Sequence, residues 1–133
     1  MKKLFTLLLI LLSCWTVDAQ SRLGFSPQEI RQEFSDEEFT SGYTKEGNYF
    51  IYLTKPTHAC TYTFNSDMKC IMTCVFVQDN SLLNALVERY NREYVIINNY
   101  TWKWYTPYNY IVNVQLVKVE DTPVFVYKLD GTD

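Results

Sequence analysis

The stretch Cys70-Ile-Met-Thr-Cys-Val-Phe-Val-Gln-Asp79-Asn-Ser-Leu-Leu-Asn-Ala-Leu-Val-Glu-Arg-Tyr90 changes its period in the middle. Cys70 to Val77 is rich in strand-forming residues and reads as a strand. Asp79, Asn80 and Ser81 then offer N-cap side chains, and Leu82, Leu86 and Tyr90 recur at i, i+4 and i+8. Leu83 and Val87 widen that stripe, so a helix follows the strand. The junction near Asp79 divides the chain into two similar halves.

Upstream of that junction, Ala59 to Phe64 and Cys70 to Val77 form a hairpin around Asn65-Ser66-Asp67. Asn48 to Thr54 (NYFIYLT) is the preceding strand, closed by Lys55-Pro56. Further back, Phe25-Ser-Pro-Gln-Glu29-Ile30 reads as a helix start. Ser26 is the N-cap, Pro27 takes the first helical position, and Glu29 completes a capping box. Phe25 and Ile30 are placed to staple the first turn, with Ile30 and Phe34 facing the core. Downstream of the second helix, Tyr94 to Trp104, Tyr108 to Val119 and Val124 to Leu129 read as strands. Thr106-Pro107 and Glu120-Asp121-Thr122-Pro123 separate them. The predicted order is α-βββ-α-βββ, an α+β domain with helices on one face of an antiparallel sheet. No residue-level repeat links the halves.

The first residues stand apart. Lys2 and Lys3 precede an apolar run from Leu4 to Leu12, too short for a membrane-spanning helix, and Val17-Asp18-Ala19 offers small residues for signal peptidase. The expectation is a signal peptide over 1–19 and one domain over 20–133. A competing reading takes Leu11-Leu12-Ser13-Cys14 as a lipobox, with Cys14 lipidated and the protein held on a membrane. Either way the chain is exported, to the periplasm or beyond, and is membrane-bound only if lipidated. The formal net charge is −3, and no basic cluster is present. Phosphate-backbone binding needs several cations on one face, so nucleic acid is not an expected partner.

Export places cysteines where disulfides persist. Opposed residues of an antiparallel pair share a face, so a register in which position numbers sum to an even value allows Cys60 to lie opposite Cys74 and form a bridge. Three reduced cysteines acting as small apolar residues are the other reading. His58 shares the parity of Cys60 and Cys74, yet no CxxC pair occurs and the spacing matches no standard zinc site. The chain has a single histidine, no glycine-rich phosphate loop and no cofactor motif, so no catalytic residue is assigned and no cofactor is expected.

The chain holds 11 Tyr, 8 Phe and 3 Trp, and six of these large aromatics fall in the eleven residues from Tyr100 to Tyr110. Alternation sends Tyr100, Trp102 and Trp104 to one side, and Lys103 and Tyr105 to the other. Cross-strand aromatic pairing explains part of this segment. Trp102, Trp104, Tyr105 and Tyr108 are the candidate binding residues, for a protein partner or for a sugar ring.

The pattern Gly24-Phe25-Ser26-Pro27-x-Glu29-Ile30, running into Phe34 and then a meander, resembles the opening of small bacterial envelope domains of the β-lactamase-inhibitor-like and outer-membrane-assembly lipoprotein families. The likeness covers Gly24 to Val77. It lacks the second helical segment expected within Ser35–Phe39, and the second half lacks a Gly-x-Ser/Thr opening. The Ala-Gln signal-peptide end and the Phe64-Asn65-Ser66-Asp67 hairpin are also similar to those of small exported proteins of Bacteroidetes-type bacteria. The resemblance implies an envelope address and a non-catalytic, protein-binding or inhibitor-like role toward an envelope or extracellular protein. A small-ligand or glycan binder using residues 100–110 is the alternative.

Overall fold

The structure, a computed structural model, describes residues 22–107 and 110–130. Helix α1 (Pro27–Glu33) leads to strands β1 (Thr40–Tyr43), β2 (Tyr49–Thr54), β3 (His58–Phe64) and β4 (Cys70–Val77). Helix α2 (Asn80–Glu93) leads to β5 (Val95–Asn98), β6 (Thr101–Tyr105), β7 (Ile111–Val119) and β8 (Thr122–Leu129). All eight strands form one antiparallel sheet in the order β1-β2-β3-β4-β8-β7-β6-β5. Each half therefore runs from the sheet edge to its centre, and the two halves meet where β4 pairs with β8.

This corrects the expected α+β class. The helices have only seven and fourteen residues, and the fold is predominantly β, with four strands in each half instead of three. Both extra strands are short. β1 has the unassuming sequence Thr-Ser-Gly-Tyr, and its link to β2 uses Gly47 at φ +88° and a bond from the Asn48 N–H to Thr44 Oγ1. The single strand expected over Tyr94–Trp104 is two strands. Asn98 Oδ1 accepts from the Tyr100 N–H at 2.9 Å, an Asx turn that folds β6 back on β5.

The helix starts follow the sequence chemistry. The Glu29 N–H donates to Ser26 Oγ, and the Ser26 N–H donates to Glu29 Oε1 at 3.0 Å. These bonds hold the exposed Glu29 carboxyl below its ordinary pKa. Asp79 caps α2 through the Ser81 N–H at 2.8 Å. The β7–β8 turn places Glu120 and Asp121 at φ +50° and +67°, the two left-handed residues of a tight hairpin turn.

One ladder crosses the whole sheet on its core face: Ser41, Ile51, Tyr62, Thr73, Tyr127, Val114, Trp102, Ile96. The six inner members are no more than 1% exposed, while Ser41 and Ile96 at the ends are open. Ile30 of α1 and Leu86 and Tyr90 of α2 join this cluster. Tyr90 packs edge-on against Trp102, Phe125 and Tyr127, and the Tyr90 and Tyr127 hydroxyls hydrogen-bond each other. A buried tyrosine pair of this kind fills volume while satisfying its own polar atoms.

Candidate functional site, the sheet face opposite the core

In a sheet with one buried face, residues on the other are usually polar. Here the second face is apolar at its centre. The ladder Thr40, Tyr52, Thr61, Cys74, Val126, Gln115, Thr101, Asn98 crosses it, flanked by Met72, Phe76, Val124 and Val117. Cys74, Met72, Phe76 and Val126 are half-buried, and Val124 is 1% exposed. The Phe50 and Tyr52 rings stack at 6.3 Å on the β2 side. Central strands β4 and β8 are thus apolar on both faces, a composition typical of strands covered on both sides.

The far side of this face is polar. Lys128, Asn113 and Lys103 stand in one row across β8, β7 and β6. Asn113 Nδ2 donates to Asp130 Oδ1 at 2.8 Å, and Lys103 Nζ lies 3.7 Å from Asp130 Oδ2. Asn113 Oδ1 is buried without a hydrogen-bond partner among the described residues. It is an acceptor that a bound donor would satisfy. Adjoining Lys128 on the β4 side of the same row, an open cleft of about 540 Å³ lies between Thr44, Glu46, Thr63, Ile71, Met72 and Lys128.

A bulge shapes this face. Phe64 pairs with Cys70, but Thr63 pairs with Met72, leaving Ile71 as an extra residue in β4. From that point the register sum is odd, and Cys60 lies opposite Val75 while Cys74 lies opposite Thr61. Cys60 belongs to the core face and Cys74 to the opposite face. The expected Cys60–Cys74 bridge is corrected accordingly, and no disulfide joins Cys60, Cys70 or Cys74 to one another. The same bulge separates Cys74 from His58 and Cys60, which removes the three-residue zinc reading. Burial pushes the Cys70 and Cys74 thiols up to about 11.

The aromatic candidates do not form one platform. Trp102 is 0% exposed, donating its indole N–H to Asn91 Oδ1 at 2.8 Å, and Trp104 stacks on Tyr94 at 5.7 Å. Both serve the core side. Tyr105 is 57% exposed and, with Lys103, belongs to the opposite face. Tyr108 lies outside the described residues. A sugar-stacking surface built from all four is therefore not assembled.

His58 is half-buried, with its imidazole 2.9 Å from Thr57 Oγ1, and burial holds its pKa below the ordinary value. Among the described residues, no group of three or more His, Cys, Asp or Glu side chains is placed to hold a metal ion. No described helix is long and apolar enough to cross a membrane. Cys14 and the residues before Gln20 lie outside the described part. No family model, curated protein or solved structure matches this chain.

Proposed function

We propose that this chain is a non-catalytic protein-binding module of a bacterial envelope, and that it binds its partner on the sheet face opposite the core. One observation carries the reading: β4 and β8 present half-buried Met72, Cys74, Phe76 and Val126 on that face, while Val75, Val77, Phe125 and Tyr127 of the same strands fill the core face. An apolar centre with a polar border of Lys103, Asn113, Gln115 and Lys128 has the anatomy of a protein interface. Tyr105 at the rim adds a rigid aromatic contact. The signal-peptide pattern over 1–19 supports the envelope address.

The experiment is capture from envelope extract with tagged mature protein, comparing wild type with Thr61→Arg. Thr61 sits in the middle of the face beside Tyr52 and Cys74, so an arginine there obstructs docking without entering the core. Enrichment of one envelope protein by wild type alone is the expected outcome.

A further inference from the structure

Ile71, the extra residue of the β4 bulge, lines the cleft of about 540 Å³ that runs between the β1–β2 turn and β8. Bulges re-aim side chains and are common beside binding sites. Ile71 and Met72, both half-buried, give the cleft an apolar floor. Glu46 and Lys128 line it from opposite sides, and neither takes part in an ion pair among the described residues. The turn that carries Glu46 is fixed by its own backbone. The Thr44 N–H donates to the Asn48 carbonyl at 2.8 Å, and the Gly47 N–H donates to the Thr44 carbonyl at 2.9 Å. On a strand between the two charges, Thr63 lines the cleft at 5% exposure, and no hydrogen bond engages its hydroxyl among the described residues. A hydroxyl so far withdrawn from water costs free energy until a partner reaches it.

We infer that this cleft binds a short peptide of two or three residues with both ends free. The peptide's ammonium pairs with Glu46 and its carboxylate with Lys128. A peptide carbonyl accepts from the Thr63 hydroxyl, and an apolar side chain covers Ile71 and Met72. The spacing of the charges selects this class of ligand. β2 and β8 are three strand spacings apart, about 14 Å, and side chains reaching inward from both sides leave roughly 7 Å between their charged groups. A free amino acid carries both charges on one carbon and cannot reach both sides. An extended dipeptide or tripeptide sets its ends roughly 6–10 Å apart, at about 3.3 Å per residue. A simple anion would leave Glu46 unpaired, and a simple cation would leave Lys128 so. The volume lies within the range of small-ligand sites. Thr61 does not line the cleft, so the inference stands apart from protein docking at the centre of the face.

Isothermal titration of the mature protein with the tripeptide Ala-Leu-Ala tests this. The expected Kd is on the order of 100 μM. Acetylating the peptide's N-terminus or amidating its C-terminus is expected to weaken binding at least tenfold, as are Glu46→Gln and Lys128→Gln. Lys128→Gln should bind the amidated peptide as well as wild type does, because the pair it would break is already gone. Thr63→Val keeps the shape, removes the hydroxyl and is expected to weaken binding about fivefold. Glu46 is exposed and Lys128 half-buried, so both charge variants keep the fold, which circular dichroism checks. No binding at millimolar peptide, equal affinity for the end-blocked peptides, or affinity indifferent to both charge variants would overturn the inference. So would free leucine binding as tightly as the tripeptide. Capture of an envelope protein is read separately through Thr61→Arg, so either site can fail without the other.

Discussion

Cys60 and Cys74 lie on adjacent strands but on opposite faces of the sheet, because Ile71 is an extra residue between the Phe64–Cys70 and Thr63–Met72 pairs. The thiols of Cys70 and Cys74 are pushed up to about 11 from 9.0, chiefly by burial, against the milder opposing pull of Thr73 on Cys70 and Lys128 on Cys74. Thiols with a raised native pKa favour the folded state below the unfolded value and lose that contribution as pH rises through the folded value. Melting temperature is therefore expected to fall between pH 9 and 11, with a loss of about 2 kcal/mol per thiol. Replacing both cysteines with alanine should flatten that slope, measured by denaturation at each pH. Burial also raises the Tyr62 hydroxyl, which adds to the loss at still higher pH.

Tyr90 and Tyr127 share a buried hydroxyl–hydroxyl bond across the α2–β8 contact. Tyr90→Phe and Tyr127→Phe are each expected to cost about 1–2 kcal/mol, since each strips a partner from a desolvated hydroxyl. The double variant should cost less than the sum of the two. Urea denaturation of the four proteins measures the coupling, and strict additivity would show that the bond contributes nothing.

Trp102 and Tyr105 are three residues apart and should behave oppositely. Trp102→Ala empties a fully buried site and removes the bond to Asn91, with an expected cost of about 3–5 kcal/mol. Tyr105→Ala should change stability by about 0.5 kcal/mol or less and weaken partner capture. Thermal melts and capture assays on the same two variants separate the roles.

The capping box of α1 is expected to be worth about 1 kcal/mol, lost in Ser26→Ala and largely kept in Ser26→Asp. Equal melting temperatures for Ser26→Ala and wild type would show that the seven-residue helix is held by Ile30 packing alone.

Both helices were legible in the sequence because caps and apolar spacing are local signals. So was the segregation of Trp102 and Trp104 from Tyr105, which needs only alternation. Two short strands were not legible. β1 lacks branched apolar residues, and the Asn98–Tyr100 turn lies inside what reads as a continuous β-forming run. The register of β3 and β4 also escaped, because a bulge inserts one residue without any sequence mark at Ile71. That single residue decides which face carries Met72, Cys74 and Phe76, and with them the candidate site. A hint was available: Cys70–Val77 and Val124–Tyr127 are apolar at both parities, which a sheet with one wet face does not require.

Docking on the face carrying Thr61 is measured by capture from envelope extract with wild-type and Thr61→Arg mature protein, the melting temperature of each recorded alongside. One enriched envelope protein is expected with wild type, together with its loss in Thr61→Arg and melting temperatures within a few degrees of each other. Capture that persists undiminished with Thr61→Arg, or no enriched protein from folded wild type, would contradict docking on this face.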